Sequence, residues 1–339
     1  MKFSKTIARK VLFPLLMYLK IDWIIRKSSK GKVLIVMYHG VVESNSNYFS
    51  ARHLDLIQFE KQIKYLKENF DIISTEEAFK YKRDGTRTIR PTISVTFDDG
   101  FANNLYQALP ILEKYKVPAT FYISSLCISD DNYKCLWSES IAALNYFFKN
   151  STIEYKEYKF NNGFDKHKKV SLNDFVKNLN KIERDSFLNH LEKKYKLNSR
   201  LAKLPPEIWR LMTKDELKKL SRSSMVKIGT HAHNHYNLSK ISFEEAKKDI
   251  SQSKVLIDKL LNISVNSIAF PDGDYNNIVK DFCASIGLKN MLAVNYKQDS
   301  DVNDDRILNR HGISSTTTFE SNMIFLNLAY LKKGFRTDV

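Results

Sequence analysis

This sequence has no CxxC pair, no long apolar run and no internal repeat, and each absence narrows what the chain is. Its three cysteines (Cys127, Cys135, Cys283) are odd in number and form no CxxC pair, so no disulfide framework is expected. No run of about eighteen or more apolar residues occurs, so a conventional membrane-spanning helix is not indicated. There is no internal repeat, no low-complexity segment, no Arg-rich block and no zinc-finger spacing. What is present is ample apolar material. The 339 residues are 43% hydrophobic and 12% aromatic, which suits one large α/β domain or two ordinary ones and excludes whole-chain disorder. Charge is lopsided, with 54 Lys+Arg against 38 Asp+Glu and a net +16. The surplus is spread along the chain and reads as a lysine-rich solvated surface; no nucleic-acid partner is expected.

Residues 1–30 stand apart. Ile7, Val11, Leu15, Leu19 and Trp23 recur every fourth residue, with Leu12 and Leu16 beside them, along one helical face. Lys2, Lys5, Arg9, Lys10, Lys20, Arg26 and Lys27 flank or oppose that face. Three readings follow: an interfacial helix on anionic lipid, a helix packed on the domain, or a signal peptide. Against the last, Lys20 and Asp22 follow the apolar run at once and no small-x-small cleavage site appears. Pro14 is expected to kink the helix.

From Gly31 onward, strand-like and helix-like stretches alternate. Lys32–Tyr38, Thr92–Phe97, Val117–Ser124, Val226–Gly229, Val265–Phe270 and Met291–Val294 read as strands, with Ile72–Ile73 a short one. Between them, Phe59, Ile63, Leu66 and Phe70 mark a helix, as do Tyr106–Tyr115 and Asn276–Ile286. A Ser242/Glu245 capping box opens another helix, running to about Leu261. This alternation predicts a parallel sheet or a (β/α) barrel, with chemistry at the C-terminal strand ends. The rhythm breaks from about Trp137 to Leu220. There, Ile153–Phe160 with Asn161-Asn162-Gly163 suggests a hairpin, and apolar residues at helical spacing follow. This stretch reads as an insertion, a lid or platform with its own small core.

Four clusters fall at strand ends. In Thr96-Phe97-Asp98-Asp99-Gly100, two carboxylates close an apolar strand, where charge needs a partner. Neighbouring side chains diverge there, so one Asp can take a metal while the other faces a reacting water. In Gly229-Thr230-His231-Ala232-His233-Asn234-His235, His231 and His235 are four apart, and one helical turn would put both rings on one side; His233 faces elsewhere. An Asp-His-His set with open positions suits Zn²⁺, Mn²⁺ or Co²⁺. Pro271-Asp272-Gly273 forms a rigid loop of the kind that aims backbone N–H groups at an oxyanion. Last come Arg310-His311 and, after the first strand, His39; either histidine is a candidate proton donor.

In order, these clusters resemble the polysaccharide deacetylase family, the NodB-homology or carbohydrate esterase family 4 group. VTFDDGFANNLYQALPILEKYKVPATFYI is similar to its first motif with the following helix and strand, and GTHAHNHYNLS to its H-[ST]-x-x-H metal motif. FPDGDYN is similar to the FPYG form of its third motif, and ILNRHGIS to its late segment. The opening VLIVMYHGV followed by FEKQIKYLKENFDIISTEEAF is similar to members from bacterial surface-polysaccharide gene clusters. The match covers about residues 32–126 and 213–320. It implies a distorted (β/α) barrel of the NodB type over residues 31–136 and 213–330. The N-terminal segment 1–30 precedes it, and a mostly helical insertion interrupts it at 137–212.

Carried over, the resemblance makes Asp98 the general base and Asp99, His231 and His235 the ligands of one divalent ion, Zn²⁺ first and Co²⁺ or Mn²⁺ next. Pro271, Asp272 and Gly273 would line the substrate groove. The implied reaction removes an N-acetyl group from an amino sugar of a bacterial cell-envelope glycan or its lipid-linked precursor. It would run in the cytoplasm or at the inner membrane, export not being excluded, with peripheral contact to anionic lipid. O-deacetylation, removal of another N-acyl group such as formyl, and non-catalytic glycan binding are the alternatives. The chain departs from the family at three places. Ala232 replaces Ser/Thr, removing a hydrogen bond that would steady the metal loop. Asp272 replaces Tyr, and Ala269 stands where the family has Arg. Arg310 is expected to substitute for that Arg by pairing with Asp98.

Overall fold

Seven parallel strands close on one another in this computed structural model, which describes residues 11–27, 31–43, 49–128 and 135–331. In chain order the strands are β1 Val33–Tyr38, β2 Gly40–Val42, β3 His53–Asp55, β4 Asp71–Ile72, β5 Thr92–Phe97 and β6 Ala119–Ile123, then β7 Thr152–Tyr155, β8 Tyr158–Asn161, β9 Phe164–Asp165 and β10 Val170–Ser171, and finally β11 Val226–Thr230, β12 Ser267–Ala269, β13 Asn290–Ala293 and β14 Ile307–Gly312. The barrel runs β1-β14-β13-β12-β11-β6-β5, and β5 returns to β1 over its whole length, Val33 opposite Thr92 through Tyr38 opposite Phe97. On its other side β5 pairs first with β4 and then with β6. This is the expected distorted (β/α) barrel of the NodB type.

Side-chain alternation explains why TISVTF suits the closing strand. Ile93, Val95 and Phe97 join the large apolar cluster under the surrounding helices, while Thr92, Ser94 and Thr96 fall on the other face, inside the barrel. Small residues are needed there because the bore is already filled. Ile35, Tyr122, Leu292 and Leu308 pack inside it above Phe79. At Gly229 a Cβ would come within 2.4 Å of the Tyr122 ring, so a residue without one is required. Near the mouth the filling turns polar: Arg310, fully buried, reaches from β14 to Thr96 and Asp98.

Most expected elements appear within a residue or two of their predicted ends. The helix expected from Tyr106 instead starts with a π turn, Asn104–Ala108, and continues as α-helix over Leu109–Tyr115. Between Cys135 and Ile208 lies a second apolar cluster, built around Phe160, Phe187 and Leu191 and joined by Val42 and Phe49. It contains an antiparallel sheet, β7 to β10. The turn that closes β7 on β8 is at Lys156-Glu157; Asn162-Gly163, both at positive φ, makes the next turn, from β8 to β9.

Of the N-terminal face, Lys2, Lys5, Ile7, Arg9 and Lys10 lie outside the described residues. The remainder is not one kinked helix but two short ones, Phe13–Tyr18 and Ile21–Lys27. Pro14 sits harmlessly in the first turn, and the break falls at Lys20, whose φ is 55°. Asp22 and Arg26 are buried against the barrel helices. Their ion pair (2.6 Å) is shared with the Tyr65 hydroxyl, and Arg26 also donates to Asn69. No helix among the described residues is long and apolar enough to cross a membrane, and all three cysteines are free and buried.

Candidate active site

At the C-terminal mouth of the barrel, β5 ends in two carboxylates with different surroundings. Asp98 continues the inward alternation and meets Arg310 of β14 in a bidentate pair, 2.6 and 2.8 Å, with both side chains buried. Burial by itself would raise the Asp98 pKa; Arg310, with a smaller contribution from His231, outweighs it and holds the carboxyl below its ordinary value. The next residue breaks the pleat. Asp99 takes φ 76° and Gly100 φ 87°, and the Ser124 N–H donates to the Asp99 carbonyl to fix the turn. A non-glycine residue at positive φ is strained, and here the strain aims the carboxylate across the mouth.

It is aimed at two imidazoles. Asp99 Oδ1 lies 3.2 Å from His235 Nε2 and 3.5 Å from His231 Nε2. Candidate ligand atoms of the three residues lie within 4.8 Å of one another, and all three side chains are buried. The expected helical turn between the histidines is absent. The loop brings the rings to 4.8 Å through two residues at positive φ, Ala232 (60°) and His235 (53°). His231 Nδ1–H donates to the Ala269 carbonyl at 2.7 Å, which leaves the Nε2 lone pair facing Asp99. Burial pushes the His231 pKa down to about 4, so it is neutral at ordinary pH. For His235, burial is outweighed by Asp99 and the pKa rises.

These residues fit a divalent cation. Neither oxygen of the fully buried Asp99 carboxylate accepts a well-directed hydrogen bond, which is costly for a lone anion and apt for a metal ligand. One carboxylate and two imidazoles are a borderline donor set with open positions.

A profile of the polysaccharide deacetylase family matches residues 85–291, more than half of the chain. The chain belongs to the polysaccharide deacetylase family. Among curated relatives, the poly-β-1,6-N-acetyl-D-glucosamine N-deacetylase of Staphylococcus aureus is 28% identical over 143 residues, 39% of this chain and 49% of that protein. A putative polysaccharide deacetylase of Bacillus subtilis is 28% identical over 100 residues, 29% and 34% of the two chains. The matched stretch thus spans about a third to a half of these relatives. In fold, the chain is similar to a Streptococcus pyogenes deacetylase solved in complex with acetate, at TM-score 0.55 and 19% identity, covering 88% of this chain and 98% of that one.

Within this site the two candidate proton donors separate. His39, next inward after Met37, lies close enough to Asp99 and Asp98 for both to raise its pKa, against burial that lowers it overall; Asn104 Nδ2–H holds its carbonyl at 2.7 Å. His311 follows inward-facing Arg310 on β14, so alternation turns it away from the bore. The Pro271–Gly273 turn differs from expectation. The Gly273 and Asp274 N–H groups are spent on Phe270 and Pro271 carbonyls, and proline has none, so the turn offers shape rather than a row of free donors. Asp272, at φ 56°, is held by Lys177, at the end of the helix Leu172–Lys177, at 2.9 Å.

The hydrogen bond that Ala232 cannot make is replaced from elsewhere. Ser253 Oγ and Ser125 N donate to its carbonyl at 2.9 and 3.1 Å. Asp249, one turn earlier on the same helix face, accepts from His233 N and Asn234 Nδ2. The His233 ring is engaged by Ser125 and Gln252, away from the ligands.

Sequence reasoning missed four buried or half-buried residues here. Trp137 Nε1–H donates to the His235 carbonyl (3.2 Å), with Nδ1 of the same residue at 3.3 Å, and Arg184 donates to that carbonyl at 3.1 Å. Arg52 stands 4.0 Å from Asp99 and 3.6 Å from Glu139, whose carboxyl burial pushes up to about 7. The one sequence signal was a glutamate inside the apolar run around Trp137. Since Trp137 orients a metal-ligand candidate, Trp137→Phe is expected to weaken Zn²⁺ binding about tenfold in calorimetric titration, with Arg184 keeping the loss from growing larger.

Proposed function

We propose that this chain is a metal-dependent N-deacetylase, a hydrolase of non-peptide carbon–nitrogen bonds, acting on an N-acetylated amino sugar of a bacterial cell-envelope polysaccharide or its lipid-linked precursor. The observation that carries this reading is the fully buried carboxylate of Asp99 facing the imidazoles of His231 and His235, beside an Arg310-held Asp98. The named activity of the Staphylococcus aureus relative supports the choice of bond and polymer class. A divalent cation held by Asp99, His231 and His235, Zn²⁺ before Co²⁺ or Mn²⁺, would polarise the acyl carbonyl and acidify a water.

Asp98 is ionised throughout the neutral range and accepts the proton of the attacking water. The water oxygen bonds to the acyl carbon, and the proton that Asp98 has taken is passed on through His39 to the sugar nitrogen as the C–N bond breaks, leaving acetate and a free amine. Asp272, Gly273 and Pro271 shape the wall along which the sugar lies.

Acetate release from a panel of N-acetylated glycans tests the reading, comparing wild type with Asp98→Asn and His231→Ala. The expected result is release that chelator abolishes, Zn²⁺ or Co²⁺ restores, and both substitutions remove. Stoichiometric metal binding with acetate freed only from O-acetyl esters, or formate only from N-formyl sugars, would change the bond. Sugar binding with no metal uptake would make the chain a glycan-binding module.

A further inference from the structure

We propose that the N-terminal helix pair, with the outer face of the helix Phe319–Ala329, is a docking surface for an anionic lipid bilayer. Apolar side chains that amphipathic helices normally hide are turned outward here. Leu15, Leu19 and Trp23 are each about half exposed, Tyr18 is 83% exposed, and Phe325 extends the patch on the neighbouring helix. The two elements are joined by the edge-on contact of Phe13 with Phe325. Aromatic rings with a polar tip or a cation beside them suit the headgroup boundary. Tyr18 presents its hydroxyl there, and Lys27 Nζ sits 3.8 Å from the centre of the Trp23 ring.

Charge selects the partner. Asp22 is the only acidic residue before Glu43, and it is buried, with Arg26 and the Tyr65 hydroxyl as its partners. The exposed charge of residues 11–27 is therefore positive only, from Lys20 and Lys27. The sequence adds Lys2, Lys5, Arg9 and Lys10 just before Val11, and Lys332, Lys333 and Arg336 just after Leu331. An apolar patch whose own exposed charges, Lys20 and Lys27, are basic, with its one acid taken inward, matches an anionic headgroup layer. The same buried Asp22–Arg26–Tyr65–Asn69 network fastens the pair to the barrel, so lipid contact would fix the orientation of the whole enzyme. The surface shares no residue with the catalytic mouth, and the inference does not depend on the deacetylase reading.

Flotation of the full chain with phosphatidylglycerol-containing and pure phosphatidylcholine vesicles tests it. The expected result is recovery with the anionic vesicles only, falling steeply from about 0.1 to 0.5 M salt. Leu15→Ser/Leu19→Ser/Trp23→Ser should lower the partition coefficient about tenfold or more. Lys20→Glu/Lys27→Glu should weaken it and flatten its salt dependence, and an unchanged thermal melt shows that each variant folds. No flotation with anionic vesicles overturns the proposal, as does equal flotation of wild type and both variants. A dimer seen by light scattering that the triple substitution dissolves, with no vesicle binding, would give the patch to a second copy instead.

Discussion

Replacing Arg310 by alanine is expected to cost about 3–5 kcal/mol at neutral pH, because it leaves Asp98 buried without its counter-charge. The loss should depend on pH with a definite sign. In the wild type, the Asp98 pKa lies below its unfolded value. The pair therefore stabilises above that unfolded value, and the stability is lost only as pH falls through the depressed native one. Without the arginine, burial dominates and the native pKa rises above the unfolded value, so the variant loses stability as pH climbs through that interval. The gap between the two proteins should be small in acid and largest near neutrality, measured by denaturant midpoints from pH 3 to 8. The acid limb of kcat/KM should move upward with it, since a protonated Asp98 cannot accept a proton. Arg310→Lys keeps the charge without the fork and should fall between. Unaltered activity and an unshifted acid limb in Arg310→Ala would remove Arg310 from the role assigned to it.

Metal loading should produce a gain of similar size that likewise grows as pH rises. A cation present at about a thousandfold over its Kd stabilises by about 4 kcal/mol, and Asp99→Asn should abolish that gain by removing the one anionic ligand. In the metal-free protein, His235 has a pKa raised by Asp99. The imidazolium pair stabilises fully below the unfolded histidine value and is lost as pH rises through the folded one. A cation must displace that proton, so its affinity should grow over the same interval. Melting curves from pH 5.5 to 8.5 should show the metal-free protein weakening while the metal-induced shift increases. A shift that Asp99→Asn retains in full would place the ion elsewhere.

The barrel was legible because its strands are buried on both faces and its helices carry caps such as Ser242 with Glu245. Asp98, Asp99, His231 and His235 were legible because short segments bring them to strand ends. The way the histidines meet was not. A four-residue spacing suggests a helical turn, and only distant partners (Ser125, Asp249, Ser253) make the positive φ of Ala232 and His235 affordable. Trp137 and Arg184 escaped notice for a related reason. They belong to the stretch with its own apolar cluster, where an aromatic or a cation at helical spacing looks like local packing until the fold brings it against His235. The break at Lys20 likewise depends on Arg26 reaching Asn69 and Asn327, which no local pattern encodes.

The closure of β5 on β1, with β14 on the far side of β1, bears on biosynthesis. Asp98 leaves the ribosome 212 residues ahead of the arginine that neutralises it. A nascent chain ending before Ile307 has neither that counter-charge nor the strand that joins β13 to β1, and so presents two open parallel edges. The counter-charge of Asp98 and protection from aggregation therefore arrive together, with β14, the last strand among the described residues. Products truncated late in synthesis should be insoluble rather than partly active.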